Sequence, residues 1–130
     1  MTVKHNDIIK IIETALGKPH EVGTNDCNII VMRIIDLIAG TKWSTTLNYK
    51  TIRSGIKQLN ELGFNSTQDI VHQYCDEVSV TIDGDIWLDD DNPLIMGVVV
   101  SGRVLGVNEE HDTFVLINKP KGKYYRTRKI

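Results

Sequence analysis

Among the side chains able to do chemistry, Cys27 has the most suggestive setting. Asn25 and Asp26 stand immediately before it and an apolar run follows, so Asp26 reads as a helix N-cap and the sulfur falls in the first turn. Free backbone N–H groups and the positive end of the helix dipole favour a thiolate there and can receive an oxyanion, as a cysteine nucleophile requires. The same position also suits a small, chemically idle hydrophobe, because free cysteine packs as one. A nucleophile needs a base within hydrogen-bond reach. The four histidines are His5 ahead of the first helix, His20 in the loop before Cys27, His72 on a short helix and His111 in the acidic turn 109–112. None is expected inside a strand, and each reads as a solvated surface residue.

Two charge clusters offer other chemistry. Asp83, Asp85, Asp89, Asp90 and Asp91 gather carboxylates of the kind hard cations prefer, yet the spacing lacks the glycine and terminal glutamate of a calcium loop. They read as a solvated acidic loop, and no metal and no cofactor are expected. From Lys119 onward, Lys121, Lys123, Arg126, Arg128 and Lys129 interleave with Tyr124 and Tyr125. That stretch can grip a nucleic-acid strand or dock on an acidic neighbour, including the Asp-rich loop of another copy. A net charge of −2 gives no global field for phosphates or anionic lipid, which disfavours general nucleic-acid binding. Glycine-rich phosphate loops, a G-x-S-x-G elbow and an H-E-x-x-H helix are all absent from the sequence.

The elements that must position these groups divide into a helical half and a strand half. Asn6 is placed to cap a helix with Ile8, Ile9, Ile12, Ala15 and Leu16 at helical spacing, and Gly17 is expected as its left-handed stop. Residues 27–38 are apolar on nearly every side until Gly40, which makes that helix central and buried. A third amphipathic helix is expected over 49–62 through Ile52, Ile56, Leu59 and Leu62, and Ser66 with Asp69 resembles a capping box opening a fourth helix to Tyr74. From residue 77 the period changes to two. Val78, Val80 and Ile82 alternate into Asp83-Gly84 and then 85–88, which reads as a hairpin. The segments 94–100, 103–108, 113–118 and 124–127 continue as strands. Helices followed by strands describe one α+β domain over residues 1–130, with the helices packed on one face of a curled antiparallel sheet of five or six strands. No stretch is long and apolar enough for a membrane helix, since 29–39 is broken by Arg33 and Asp36, and no secretory signal opens the chain. Synthesis in a cytoplasm, with Cys27 and Cys75 reduced, is the expectation.

Asp26-Cys27 opening the central helix, Thr41 just after Gly40, the 59–64 stretch with Gly63, Gly84-Asp85-Ile86 on a strand and the 97–102 segment on the next together resemble the NlpC-type cysteine peptidases. These are a papain-like family, and the likeness is to its small phage-encoded relatives found among tail genes. The resemblance implies a papain-like NlpC-type fold in which Cys27 stands where the family's nucleophile attacks the bacterial cell-wall stem peptide. The family's histidine opens the strand after the Gly-Asp-Ile element. Ile95 occupies that position here, and isoleucine cannot accept a proton, which forfeits most of the roughly 10²- to 10⁴-fold that acid–base assistance supplies. The third polar group corresponds to Asn108.

The resemblance therefore implies a non-catalytic structural or assembly component of a bacteriophage tail, near its tip, using a degenerate peptidase fold as an interaction scaffold. Its partners would be other tail proteins, its location the virion, and its contact surfaces the acidic loop 83–91 and the basic end 119–129. No nucleic acid and no membrane insertion are expected. The alternative is an active peptidase or amidase on peptidoglycan stem peptides through Cys27, with His20 or His111 replacing the missing base from a loop. A nucleic-acid module using Tyr124 and Tyr125 is a third reading.

Overall fold

The computed structural model describes residues 5–108, 113–118 and 120–129. Five helices, α1 (His5–Leu16), α2 (Cys27–Ala39), α3 (Trp43–Thr46), α4 (Ile52–Glu61) and α5 (Thr67–Tyr74), precede the strands. These are β1 (Cys75–Val78), β2 (Ile86–Asp89), β3 (Met96–Val100), β4 (Arg103–Val107), β5 (Phe114–Asn118) and β6 (Gly122–Thr127). They form one curled antiparallel sheet in the order β1-β6-β2-β3-β4-β5. The domain is α+β, as the change of period implies.

The central helix is the best-specified element. Asp26 caps α2 by accepting the Ile29 N–H at 2.8 Å, and Gly40 ends it in the left-handed region, its N–H donating to the Asp36 carbonyl. Ile30, Ile34 and Ile35 are fully buried against α1, α5 and the sheet, each contributing about 2 kcal/mol of transfer free energy. The opposite sheet face carries a smaller cluster of Trp87, Val99 and Val104, with Tyr124 packed against it.

Several boundaries differ from the sequence-based expectation. α1 begins at His5, so Asn6 lies inside the first turn rather than capping it. Gly17 is not left-handed; its N–H continues helical bonding to the Glu13 carbonyl. α4 starts at Ile52 from a reciprocal Thr51/Ser54 capping box, because Tyr49 is drawn away to Asp26. The extra turn α3 is capped from a distance. Asp36 of α2 accepts the N–H groups of Trp43 at 2.8 Å and Ser44 at 2.9 Å, an arrangement that leaves no local pattern. Ser66 occupies the N-cap of α5 without a side-chain bond, while Asp69 accepts the Asn65 N–H instead.

The expected hairpin across Asp83-Gly84 is absent, since β6 lies between β1 and β2. Val80 and Ile82 alternate in sequence but stand 76% and 56% exposed in a loop. That loop is held by polar bonds: Asp85 accepts the Ile82 N–H, and Arg126 donates to the Val80 carbonyl. Alternation without burial is not a strand. The β3–β4 hairpin does form, around Ser101 and Gly102 with φ of 50° and 74°.

Candidate functional site

A cleft of about 270 Å³ opens where the N-terminus of α2 meets the start of β3. Its floor holds Asp26, Cys27, Asn28 and Thr67. One wall comes from Tyr49 and the α4 face of Ile52, Ile56 and Leu59, the other from Leu94, Ile95, Met96 and the sheet residues Val107 and Ile117. This explains why α4 buries only Gly55 and Leu59, leaving Ile52 55% exposed. Its apolar stripe faces the cleft as well as the core.

The floor is a connected set of polar contacts. Thr67 donates to the Asn28 side-chain carbonyl. The Asn28 amide donates to the Leu94 carbonyl at 3.2 Å and to the Cys27 sulfur at 3.5 Å, and the Cys27 thiol reaches the same carbonyl at 3.5 Å. A carbonyl acceptor stabilises the thiol and not the thiolate. On the other side of the sulfur, Asp26 accepts from the Gly23 N–H and the Tyr49 hydroxyl, each at 2.7 Å. Gly23 is required there: it sits at φ 90°, and an added Cβ would stand 1.8 Å from the Tyr49 carbonyl oxygen. The Tyr49 ring lies on Gly55, where a Cβ would be 3.1 Å from it. Two glycines thus seat the tyrosine over the carboxylate.

These contacts set the protonation of the floor. Burial, with the Asp26 charge adding to it, pushes the Cys27 thiol up to about 11, against the opposing pull of backbone N–H groups at Met96, Asn28 and Cys27 itself. The helix-start position does not yield a thiolate at neutral pH, because desolvation outweighs the donors. Burial and the same carboxylate push the Tyr49 phenol well above its ordinary value. The shape of a nucleophile site is present while its electrostatics oppose ionisation.

Ile95 lies on the cleft wall at 39% exposure, immediately before β3, beside the segment that contacts the sulfur. His20 lines the same cleft, held by the bridge of Pro19 to Thr113, with its ring edge-on to Phe114 at 5.9 Å. Among the described residues the hydrogen-bond partners of Cys27 are Leu94 and Asn28, not an imidazole. His5 binds Asp83 at 2.7 Å and His72 stacks edge-on with Tyr125, so both are engaged elsewhere. His111 lies outside the described residues. Asn108 does not line the cleft; it bonds to Thr113 across the β4–β5 connection.

The profile of the family described as "Domain of unknown function (DUF6950)" matches residues 3–122 of the 130. The chain belongs to this family. No curated protein and no solved structure matches it.

The charged clusters of the DUF6950 domain are organised differently from the two free surfaces expected. Asp85 is 1% exposed and takes a bidentate pair of bonds from Arg126, both at 2.9 Å. Asp83 accepts from His5 and from the Ser101 N–H, which hold its carboxyl below the usual range, and Asp89 accepts the N–H groups of Asp91 and Asn92. Only Asp90 and Asp91 of the five are exposed. At the basic end, Tyr125 is buried in the core and Arg128 bonds Asp76. The pairing of Asp89 with Gly122 brings the acidic loop alongside the lysine-bearing turn. The Tyr-and-cation stripe is therefore broken up by the fold. Among the described residues no cluster of three His, Cys, Asp or Glu side chains is placed to hold a metal ion, and no helix is long and apolar enough to cross a membrane.

Tyr49, Asn28 and Thr67 were not singled out in the sequence. Asn28 follows Cys27 directly, so its adjacency was available as a clue. Tyr49 and Thr67 reach the site from 23 and 39 residues away, through tertiary contacts without local pattern.

Proposed function

We propose that this DUF6950 domain acts without hydrolysis, as a structural or assembly component that seats a segment of a neighbouring protein in the Cys27 cleft. The likeness of its motifs to small tail-gene relatives of the NlpC-type peptidases supports a setting in a bacteriophage tail, near the tip, with other tail proteins as partners. The observation that carries the non-catalytic reading is the environment of the sulfur. It bonds to the Leu94 carbonyl and Asn28 amide, beside a buried carboxylate and an isoleucine, so neither a thiolate nor a base is prepared for attack. Mostly apolar walls with a few polar groups suit recognition of a protein segment.

The test is assembly with an altered thiol and an altered wall. Cys27→Ala is expected to leave particle assembly at wild-type yield, whereas Ile95→Asp, a charge in the wall, is expected to reduce incorporation of the chain at least tenfold. Loss of assembly with Cys27→Ala, or absence of the chain from purified particles, contradicts the proposal.

The shared cleft of Cys27 and His20 favours one second reading, an active peptidase or amidase on peptidoglycan stem peptides with His20 as base. Under that reading Cys27→Ala and His20→Ala both abolish release of stem-peptide fragments from purified cell walls, and wild-type protein alone releases them.

A further inference from the structure

The wall of the Cys27 cleft built by α4 is apolar toward the cleft and cationic on its outer side. Residues 42–60 carry Lys42, Lys50, Arg53 and Lys57 and no acid, in a chain whose net charge is −2. Lys50, Arg53 and Lys57 are exposed, and among the described residues none of them forms an ion pair. Glu61, four residues after Lys57, is not bonded to it. Arg126 and Arg128, by contrast, are engaged by Asp85 and Asp76. Local energetics do not account for the α4 cations either. Arg53 stands in the first turn, which contains no acid, and a cation there opposes the helix dipole.

The apolar and cationic groups are continuous. A shallow groove on the outer side of α4 is lined by Arg53, Ser54, Ile56 and Lys57, and Ile56 also lines the Cys27 cleft. Ile52, directly before Arg53, borders the cleft while remaining half-exposed.

We infer that the segment seated in the Cys27 cleft is acidic. Its apolar side chains enter beside Ile52 and Ile56, and carboxylates next to them in its own sequence meet Lys50, Arg53 and Lys57. The inference rests on the proposal that the cleft holds a segment of a neighbouring protein. Charge complementarity selects the chemistry of that segment. The Arg53 guanidinium can grip a carboxylate through two parallel N–H bonds, while Lys50 and Lys57 supply point charges before and after it in the chain. An anionic membrane suits the patch less, since lipid-binding patches gather about four to eight cations and this groove presents three. A nucleic-acid strand requires open aromatic faces for stacking. Tyr49, the aromatic side chain at α4, is instead laid on Gly55 and bonded to Asp26.

The test is selection from a library of short random peptides on the immobilised full chain. Enriched peptides are expected to carry apolar residues and about twofold more Asp and Glu than the input. The variant R53E/K57E, changed only at exposed positions, is expected to keep the wild-type circular dichroism spectrum and to select peptides without that acidic excess. The affinity of an enriched peptide for wild-type protein is expected to fall about tenfold between about 50 and about 500 mM sodium chloride, which decides the matter if R53E/K57E fails to fold. A folded R53E/K57E that still selects acidic peptides, or an affinity indifferent to salt, overturns the inference. Tighter binding to phosphatidylserine vesicles or to oligothymidylate than to any enriched peptide also overturns it. Enriched peptides that are apolar without an acidic excess overturn this inference alone and leave the seating of a segment in the cleft standing. A library from which nothing is enriched contradicts both.

Discussion

Asp26 and Asp85 are both buried carboxylates, 5% and 1% exposed, yet their surroundings give them opposite roles. Asp85 at the entry to β2 meets a cation. Two bonds from Arg126 neutralise it, and through that guanidinium it fastens the 79–85 loop to β6. Asp26 meets only neutral donors, the N–H groups of Gly23 and Ile29 and the Tyr49 hydroxyl. Its charge is hydrogen-bonded but uncompensated, and it is felt by the Tyr49 phenol that bonds it and by the Cys27 thiol. A paired carboxylate holds the sheet together, whereas an unpaired one shapes the cleft and adds to the burial that keeps its sulfur protonated.

The contrast is sharpest when each carboxylate is removed. Asp85→Ala strands the Arg126 guanidinium and unties the loop, and is expected to lower unfolding stability by about 3 kcal/mol, the low end for a broken buried pair because Arg126 is partly exposed. Urea denaturation measures it. Asp26→Ala removes the α2 cap and two further bonds, with an expected loss of about 2 kcal/mol. It is also expected to speed Cys27 alkylation at pH 8, an effect that Asp85→Ala should not share. Equal alkylation rates in the two variants would break the comparison. Tyr49→Phe leaves the carboxylate capped and deletes one bond, with an expected cost of about 1 kcal/mol in the same denaturation series.

The smallest effect is a slope. Cys27 holds its proton in the folded chain up to about 11, while an ordinary thiol near 9 releases it. Between those values the unfolded chain binds fewer protons, so this contribution to stability is complete below about pH 9 and declines as pH rises. Cys27→Ala is expected to flatten that decline in unfolding free energy measured from pH 8 to 10.

Much of this was legible in the sequence, for reasons tied to particular residues. Asp26, Gly40 and the all-round apolar pattern between them define α2 locally, and Ser101-Gly102 defines the β3–β4 hairpin, because caps and two-residue turns are short-range physics. The Asp26 cap puts Cys27 in the first turn of α2, as its neighbours in the sequence imply, while the place of Ile95 on the cleft wall just before β3 comes from the fold. The thiol's protonation is not legible there, since it depends on burial in the folded chain, and the backbone groups of Leu94 and Met96 that touch the sulfur lie far along the sequence. Alternation at Val80 and Ile82 misled because the strand inserted between β1 and β2 comes last in the sequence. The acidic run looked solvated because nothing local shows that Arg126 lies beside Asp85, 41 residues before it.

The central claim concerns the state of one sulfur, and its most direct test is the pH dependence of Cys27 alkylation by iodoacetamide, followed at that residue by mass spectrometry. The expected result is a rate that keeps rising through pH 9 toward a half-maximal value near about 11 and is unchanged in His20→Ala. A rate already at its plateau by pH 7 and lost in His20→Ala would reveal a primed thiolate–imidazolium pair, and would contradict the account.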